Sequence, residues 1–162
     1  MSAKPLAPLV EHLPGGILHV PLPTPFPVGP VNCYVLLDEP VTVVDPGMIW
    51  ADSTGQLDAA LAAAGRSLAD IDQVLITHGH PDHFGAAGWL ARVADATVVC
   101  GRAERPKLMG SSDRAGMIEV VGRLGIPDSM RDTFRLFYEG VRDLTHPIAE
   151  DRLVLLDDGD AL

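Results

Sequence analysis

Short apolar runs separated by turn-forming residues dominate the first hundred positions of the chain. Their length and β-branched composition predict strands at 17–20, 31–37, 41–44, 73–77 and 96–100. A polar turn joins the second and third of these runs, which favours a β-hairpin. Five prolines between positions 21 and 30 exclude a helix or a central strand there, so we expect an extended loop.

Apolar residues at helical spacing alternate with the strand runs. The apolar face of a first predicted helix consists of Leu57, Ala60, Leu61 and Ala64. Residues 52–54 offer N-caps for this helix, and Gly65 fits just past its end. A second helix is predicted at 84–93, where Gly85 and Gly88 lie on nearly one side and would let another element approach closely. This order of strands and helices predicts an α/β layered domain.

The chain changes character from about 102 to 148, where strand signals vanish and charged residues become frequent. We expect a helical insert of two or three short helices there, followed by a last strand at 153–156. Aromatic side chains of the insert could line an apolar substrate pocket, although packing between the short helices is their more ordinary role. These side chains are Phe134, Phe137 and Tyr138.

The composition suits one folded domain, with 162 residues, 47% of them hydrophobic, and a formal net charge of −10. Nucleic acids and anionic lipid membranes attract basic proteins, whereas this chain is acidic. We therefore expect no nucleic-acid partner and no membrane partner. Cys33 and Cys100 each lie in an apolar run and are expected to be buried free thiols. No signal peptide or membrane-spanning run is visible, so a cytoplasmic protein is the simplest expectation.

The strongest chemical signal is the hexapeptide His-Gly-His-Pro-Asp-His at 78–83, which holds three of the six histidines of the chain. Neutral imidazole and carboxylate are good ligands for zinc, iron or manganese. A lone histidine is more often structural than a ligand. Three histidines with an aspartate, placed directly after an apolar strand, favour a metal site.

The spacing within the hexapeptide predicts two metal ions close together. In an extended chain His78 and His80 project to the same side, because side chains alternate along a strand. Pro81 suits the first position of a helix, so Asp82 and His83 would lie in the first helical turn and point away from the first pair. Two neighbouring metals can activate a water molecule for hydrolysis.

With the preceding Thr77, the hexapeptide matches the HxHxDH motif of the metallo-β-lactamase superfamily, and the chain resembles this family and its glyoxalase II-like branch. Further similar segments lie at 31–36, 43–47, 70–76 and 152–160. The resemblance implies an αβ/βα sandwich with metals in a cleft between two similar halves. The chain would be the N-terminal αβ half of this α/β fold, with the helical insert near 102–148.

The resemblance also implies a role for each site residue. His78 and His80 would bind the first metal, and Asp82 and His83 the second. The cofactors would be two divalent metal ions, zinc first, with iron or manganese as alternatives. Asp45 would orient the metal loop, and Asp82 would also handle the proton of the attacking water as a catalytic residue.

The family completes its metal sites with two further histidines and a bridging aspartate that this sequence does not match. The later His146 lies in different surroundings and is expected at the surface. We therefore expect a single incomplete domain over 1–162, with a core at 15–100, an insert at 101–148 and a closing strand and turn at 149–162. With two ligands for each metal instead of the usual three, we expect this chain alone to bind metal weakly and to be poorly active. We also expect an uncovered apolar sheet face, and a homodimer or a missing C-terminal half.

The leading functional expectation is a metal-dependent hydrolase that, when complete, cleaves a small thioester or ester-like substrate. Two other classes stay open. One is an iron-dependent oxidoreductase or dioxygenase on the same scaffold. The other is an inactive half-domain that acts as a binding or assembly module. Fold likeness alone cannot choose among them, since one scaffold hosts many reactions.

Overall fold

The computed structural model describes residues 10–25, 29–110, 123, 125, 127, 140–141 and 143–161. Its strands are β1 Glu11–Leu13, β2 Ile17–Leu22, β3 Val31–Leu36, β4 Thr42–Val44, β5 Gln73–Ile76, β6 Thr97–Gly101 and β7 Leu153–Leu156. Its α-helices are α1 Ala51–Ala63, α2 Pro81–Phe84, α3 Ala87–Val93 and α4 Arg105–Leu108. Single 3-10 turns lie at Leu68–Asp70, Arg102–Glu104 and Glu150–Arg152. Each strand that the sequence predicts is present, and the α/β class is confirmed.

The strands form one mixed sheet in the order β1 to β7. β1 to β4 pair antiparallel, which confirms the predicted hairpin between β3 and β4. β4 to β7 pair parallel, with α1 as the first crossover and α2 with α3 as the second. The C-terminal ends of β4, β5, β6 and β7 therefore meet at one edge of the sheet, where ligands bind in open parallel sheets.

The core lies on the sheet face that the helices cover. Side chains in register across four strands are fully buried on this face, and they are Val35, Val43, Val74 and Val98. Leu57 and Leu61 of α1 and Leu90 of α3 belong to the same buried cluster. Cys33 and Cys100 are buried free thiols, as the sequence predicts.

The opposite face of the sheet is partly open. A row in register crosses it, formed by Tyr34, Val44, Leu75, Val99 and Val154. Val154 is 44% exposed and Leu36 is 37% exposed. Gln73 and Thr42 form a polar pair on the same face, with Nε2 of Gln73 donating to Oγ1 of Thr42 at 2.8 Å. The face is thus mixed rather than wholly apolar. The homodimer or missing half that the sequence suggests stays a prediction.

The prediction of a loop from 21 to 30 is wrong for its first two residues, because β2 continues through Pro21 and Leu22. β1 pairs with β2 only as far as His19, so the end of β2 has an open side. A proline is tolerated there because its missing N–H is not needed for pairing. β1 itself was not predicted, since three residues carry too little periodicity.

The first helix begins at Ala51, with Trp50 in the N-cap position and no side-chain cap. The N-caps predicted at 52–54 are therefore wrong, and Asp52 lies in the first turn instead. An acidic side chain there is favourable, because the helix dipole is positive at its N-terminus. Among the described helices, none combines the length and the apolar character that crossing a bilayer requires.

The second predicted helix is divided in two and begins earlier, at Pro81. The division falls at Gly85 and Ala86, where other segments take the backbone groups. Ala86 N donates to the carbonyl oxygen of Gly47 at 2.8 Å, and His146 N donates to that of Gly85 at 2.8 Å. Tertiary hydrogen bonds thus replace part of the helical ladder. The helices predicted within the insert beyond 110 and the aromatic residues at 134, 137 and 138 lie outside the described residues.

The close approach predicted at the two glycines is confirmed. A Cβ at Gly88 would collide with the backbone carbonyl oxygens of His146 and Pro147. A Cβ at Gly85 would lie 2.8 Å from the carbonyl oxygen of Leu144. The C-terminal end of the insert is therefore packed directly against α2 and α3.

Replacing Gly88 should disturb this contact. We expect Gly88→Ala to lower the free energy of unfolding by about 1–3 kcal/mol, because the new Cβ would displace the backbone of His146 and Pro147. Gly55→Ala in α1 is the matched control, since a Cβ there meets nothing within 4 Å. The control should leave stability unchanged or raise it by up to about 1 kcal/mol. Urea denaturation followed by circular dichroism measures both, and equal effects would contradict the packing described.

Candidate metal centre

The metal loop, residues 77–83, lies at the edge where the parallel strands end. Asp45 directly follows β4, and its N–H donates to the carbonyl oxygen of Leu75 at 3.0 Å. Thr77 directly follows the neighbouring strand β5. Because β4 and β5 are parallel, their ends bring Asp45 and Thr77 side by side although 32 positions separate them.

The carboxylate of Asp45 accepts three hydrogen bonds from the metal loop. Its Oδ1 accepts from Thr77 N at 2.9 Å. Its Oδ2 accepts from Thr77 Oγ1 at 2.5 Å and from His83 Nδ1 at 2.8 Å. Asp45 is only 4% exposed and has φ of 50°. That left-handed backbone is uncommon for non-glycine residues, although aspartate is among those that tolerate it.

The hydrogen bonds assign the tautomers of two histidines. The single hydroxyl hydrogen of Thr77 is donated to Asp45, so Thr77 Oγ1 accepts from Nδ1 of His78 at 3.0 Å. His83 donates its own Nδ1–H directly to Asp45. Both imidazoles therefore keep the lone pair of Nε2 available. An imidazole whose second nitrogen donates to a carboxylate is the usual arrangement of a metal ligand.

The side chains of the motif lie against one another. The ring centroids of His78 and His80 are 4.5 Å apart, and those of His78 and His83 are 4.2 Å apart. The expectation that His83 points away from the first pair is therefore wrong. Asp45 causes this arrangement, because it holds His83 directly and His78 through Thr77.

Asp82 lies beside the free nitrogen of His83. Oδ2 of Asp82 is 3.8 Å from Nε2 of His83, and both side chains are 24% exposed. Two ligand atoms on one tetrahedral zinc ion are roughly 3.4 Å apart, given metal–ligand distances near 2.0–2.2 Å. The Asp82 and His83 pair is thus close to the spacing that one ion needs.

Within the described part of the chain, potential ligand atoms of Asp45, His78 and His83 lie within 4.8 Å of one another. His80 and Asp82 adjoin this group but are not part of it. The two oxygens of Asp45 already accept hydrogen bonds from three donors. Asp45 is therefore better suited to support the histidines than to bind an ion itself.

The pKa of His78 is lowered from its ordinary value. Burial is the largest cause, and the charges of His83 and His80 lower the pKa further. A lowered pKa keeps the imidazole neutral at neutral pH. Metal binding requires that neutral form, because a protonated imidazole has no lone pair to give.

Glu104 is a site neighbour that the sequence analysis missed. Its Oε2 accepts from the N–H of Gly79 at 2.7 Å and from Nζ of Lys107 at 2.8 Å. The pKa of Glu104 is lowered by the Lys107 hydrogen bond first and by the Gly79 hydrogen bond second. Glu104 follows β6, the parallel neighbour of β5. Its position after that strand was the only signal in the sequence.

His146 reaches the neighbourhood of the loop through its backbone. Its N–H donates to the carbonyl oxygen of Gly85, while its Nδ1 lies 3.4 Å from the carbonyl oxygen of Pro147. Of the remaining histidines, His12 is exposed on β1 and His19 stacks on Tyr34 with ring centroids 5.1 Å apart. These three histidines are not in the group of potential metal ligands found among the described residues.

The family of the chain follows from comparison with known proteins. The sequence model of the metallo-beta-lactamase superfamily matches residues 26–156. The chain therefore belongs to the metallo-beta-lactamase superfamily. It is similar to the probable metallo-hydrolase YqjP of Bacillus subtilis (strain 168), with 38% identity over 69 residues, which are 43% of this chain and 22% of that protein.

Solved structures agree on the fold. The metallo-beta-lactamase family protein TTHA1429 from Thermus thermophilus superposes with a TM-score of 0.74 and 27% identity, over 91% of this chain and 48% of that chain. A beta-lactamase domain protein from Burkholderia ambifaria gives a TM-score of 0.67 and 22% identity, over 99% and 46%. The chain thus spans about half the length of these structures and about a fifth of the curated relative.

The assigned tautomers can be tested in the metal-free protein. We expect imidazole ¹⁵N–¹H correlation spectra to show Nδ1–H forms for His78 and His83. Thr77→Val should remove this preference for His78 alone, because His83 contacts Asp45 directly. Thr77→Ser keeps the hydroxyl group and should leave both signals unchanged. Nε2–H forms of both residues in the unsubstituted protein would refute the assignment.

Proposed function

We propose that the metal loop is part of a dinuclear metal centre in a hydrolase that cleaves a small thioester or ester-like substrate. Membership of the superfamily and the likeness to a probable metallo-hydrolase support the general class. The observation that carries the proposed metal centre is the hydrogen-bond network of Asp45. It leaves Nε2 of both His78 and His83 free to bind an ion.

The residues present fit divalent metal ions. Three imidazoles and one carboxylate lie together, and the lowered pKa of His78 favours the neutral, ligating form. In this proposal His78 and His80 hold the first ion, and Asp82 and His83 hold the second. Zinc is the proposed metal, since nitrogen and carboxylate donors suit it, and iron or manganese accept the same donors. Such ions, when bound, polarise a scissile carbonyl group and lower the pKa of water.

The side chains have separate tasks in this proposal. Asp45 fixes the orientation of His83 directly and that of His78 through Thr77, so these two imidazoles are oriented before an ion binds. Asp82 is the proposed catalytic residue. Its side chain is 24% exposed, so its carboxylate can also take up the proton of an attacking water.

The charge of the chain bears on the substrate class. The formal net charge of −10 repels polyanions, which disfavours nucleic acid as a substrate. Small acyl compounds, with a thioester or ester carbonyl group, are the class that we propose. No further observation within the described residues selects one compound.

Metal binding is the first test. We expect zinc to bind, with cobalt(II) absorption as the optical probe and elemental analysis giving the stoichiometry. His80→Ala and His83→Ala should each weaken binding by more than tenfold, because each removes a ligand. Asp45→Asn should weaken it by about 10–100-fold, because it removes support from the ligands. His12→Ala, on the exposed edge strand β1, is the matched control and should bind as the unsubstituted protein does.

Several outcomes would count against this proposal. Absence of binding, or equal affinity in His80→Ala, would refute the metal centre and leave the inactive half-domain. Bound iron with a redox-active visible spectrum would favour the oxidoreductase class instead.

Thioester hydrolysis tests the activity itself. We expect the zinc-loaded protein to hydrolyse a small chromogenic thioester slowly, because the chain offers two ligands to each proposed ion and catalytic zinc usually has three. A chelator should abolish the reaction. Asp82→Asn should lower kcat by at least about 10²–10⁴-fold, because it removes the proposed proton acceptor and also weakens a ligand of the second ion. A phosphodiester substrate serves as the negative control. A rate that the chelator leaves unchanged would contradict the proposal.

A further inference from the structure

The N–H of Gly79 lies between two residues of the proposed first metal site. Gly79 is in the connection between β5 and α2, so neither the sheet nor the helix supplies an acceptor for this N–H. A loop amide away from water needs a partner. Oε2 of Glu104 supplies it at 2.7 Å. The bond is charge-assisted, since the acceptor is a carboxylate, and such bonds are shorter and stronger than neutral ones.

The packing above Gly79 is a second, independent observation. A Cβ at this position would lie 2.7 Å from Cβ of Lys107 and 2.8 Å from its Cδ. It would also lie 2.9 Å from Oε2 of Glu104. The ammonium group of Lys107 in turn bonds to Glu104 at 2.8 Å. Only a glycine lets this pair approach the loop so closely.

We propose that Glu104 is a positioning residue of the metal loop. Its carboxylate fixes the peptide unit that joins His78 to Gly79, and this unit sets where His78 and His80 project. Lys107 holds the carboxylate in place and fills the space above Gly79. Asp45 thus secures the loop from the β4 side, and Glu104 secures it from the β6 side. This inference rests on the proposed metal function for its consequence, not for the contact itself.

The position of Glu104 in the chain gives the contact a second consequence. Glu104 lies in the turn that begins the insert, and Lys107 lies in α4. The other end of the insert contacts the residue that follows α2, where His146 N donates to the carbonyl oxygen of Gly85 at 2.8 Å. Both ends of the insert are therefore hydrogen-bonded beside the loop. A displacement of the first end would move the Gly79 amide with it.

The experiment compares two substitutions of Glu104 with a control from the same segment. Glu104→Ala removes the acceptor, whereas Glu104→Gln keeps an acceptor oxygen without the charge. Glu150→Gln removes the ion pair between Glu150 and Arg105 of α4, which does not involve Gly79. The readouts are the exchange rate of the Gly79 amide in the metal-free protein, the affinity for cobalt(II) and zinc, and the free energy of unfolding in urea.

We expect Glu104→Ala to raise the exchange rate of Gly79 at least tenfold and to weaken metal binding by about 10–100-fold. Glu104→Gln should give a smaller change in both, and Glu150→Gln should change neither. Binding lost without a matching loss of stability separates positioning from a merely structural role. If Glu104→Ala does not fold, the comparison of Glu104→Gln with Glu150→Gln decides.

Unchanged Gly79 exchange in the Glu104 variants would overturn the inference, and so would faster exchange with unaltered metal affinity. An unsubstituted protein that binds no metal would refute the proposed function instead. In that case the exchange rate of Gly79 decides the inference alone. Faster exchange in Glu104→Ala would support it, and an unchanged rate would overturn it.

Discussion

The carboxylate of Asp45 is buried at the end of β4 and accepts hydrogen bonds from three donors of the metal loop. A buried charge is costly unless donors replace the water that it loses, and here Thr77 and His83 replace it. The backbone of Asp45 also occupies the left-handed region, which costs of order 1–3 kcal/mol and persists only where the surroundings enforce it. The arrangement of His78 and His83 depends on this one group.

The parallel half of the sheet is what brings the supporting groups to the loop. Asp45, Thr77 and Glu104 each follow a strand, and the three strands are neighbours. Parallel strands present their C-terminal ends at one edge, so residues far apart in sequence become adjacent. The site is therefore a property of the sheet order as much as of the hexapeptide.

Glycines keep the metal loop and α3 in close contact with the insert. Gly79 leaves room for Lys107 and Glu104 at the start of the insert, and Gly88 leaves room for the backbone at its C-terminal end. In both places the neighbour lies where a Cβ would be, so the approach is fixed by sterics rather than by attraction alone. The sequence indicated the contact at Gly88 from the spacing of small residues. It could not indicate the contact at Gly79, whose partners lie in another element.

Local patterns determined most of the strands and the candidate ligands of the site. Strand runs, the hairpin and the clustering of histidine and aspartate in the hexapeptide are properties of neighbouring residues, so the sequence alone revealed them. Tertiary structure decided the rest. It provides the unpaired side of β2 that tolerates Pro21, and it divides the second helix at Gly85. It also packs His83 against His78 and brings Glu104 into contact with Gly79. Each of these depends on a hydrogen bond or an open side supplied by a distant segment, which no local periodicity encodes.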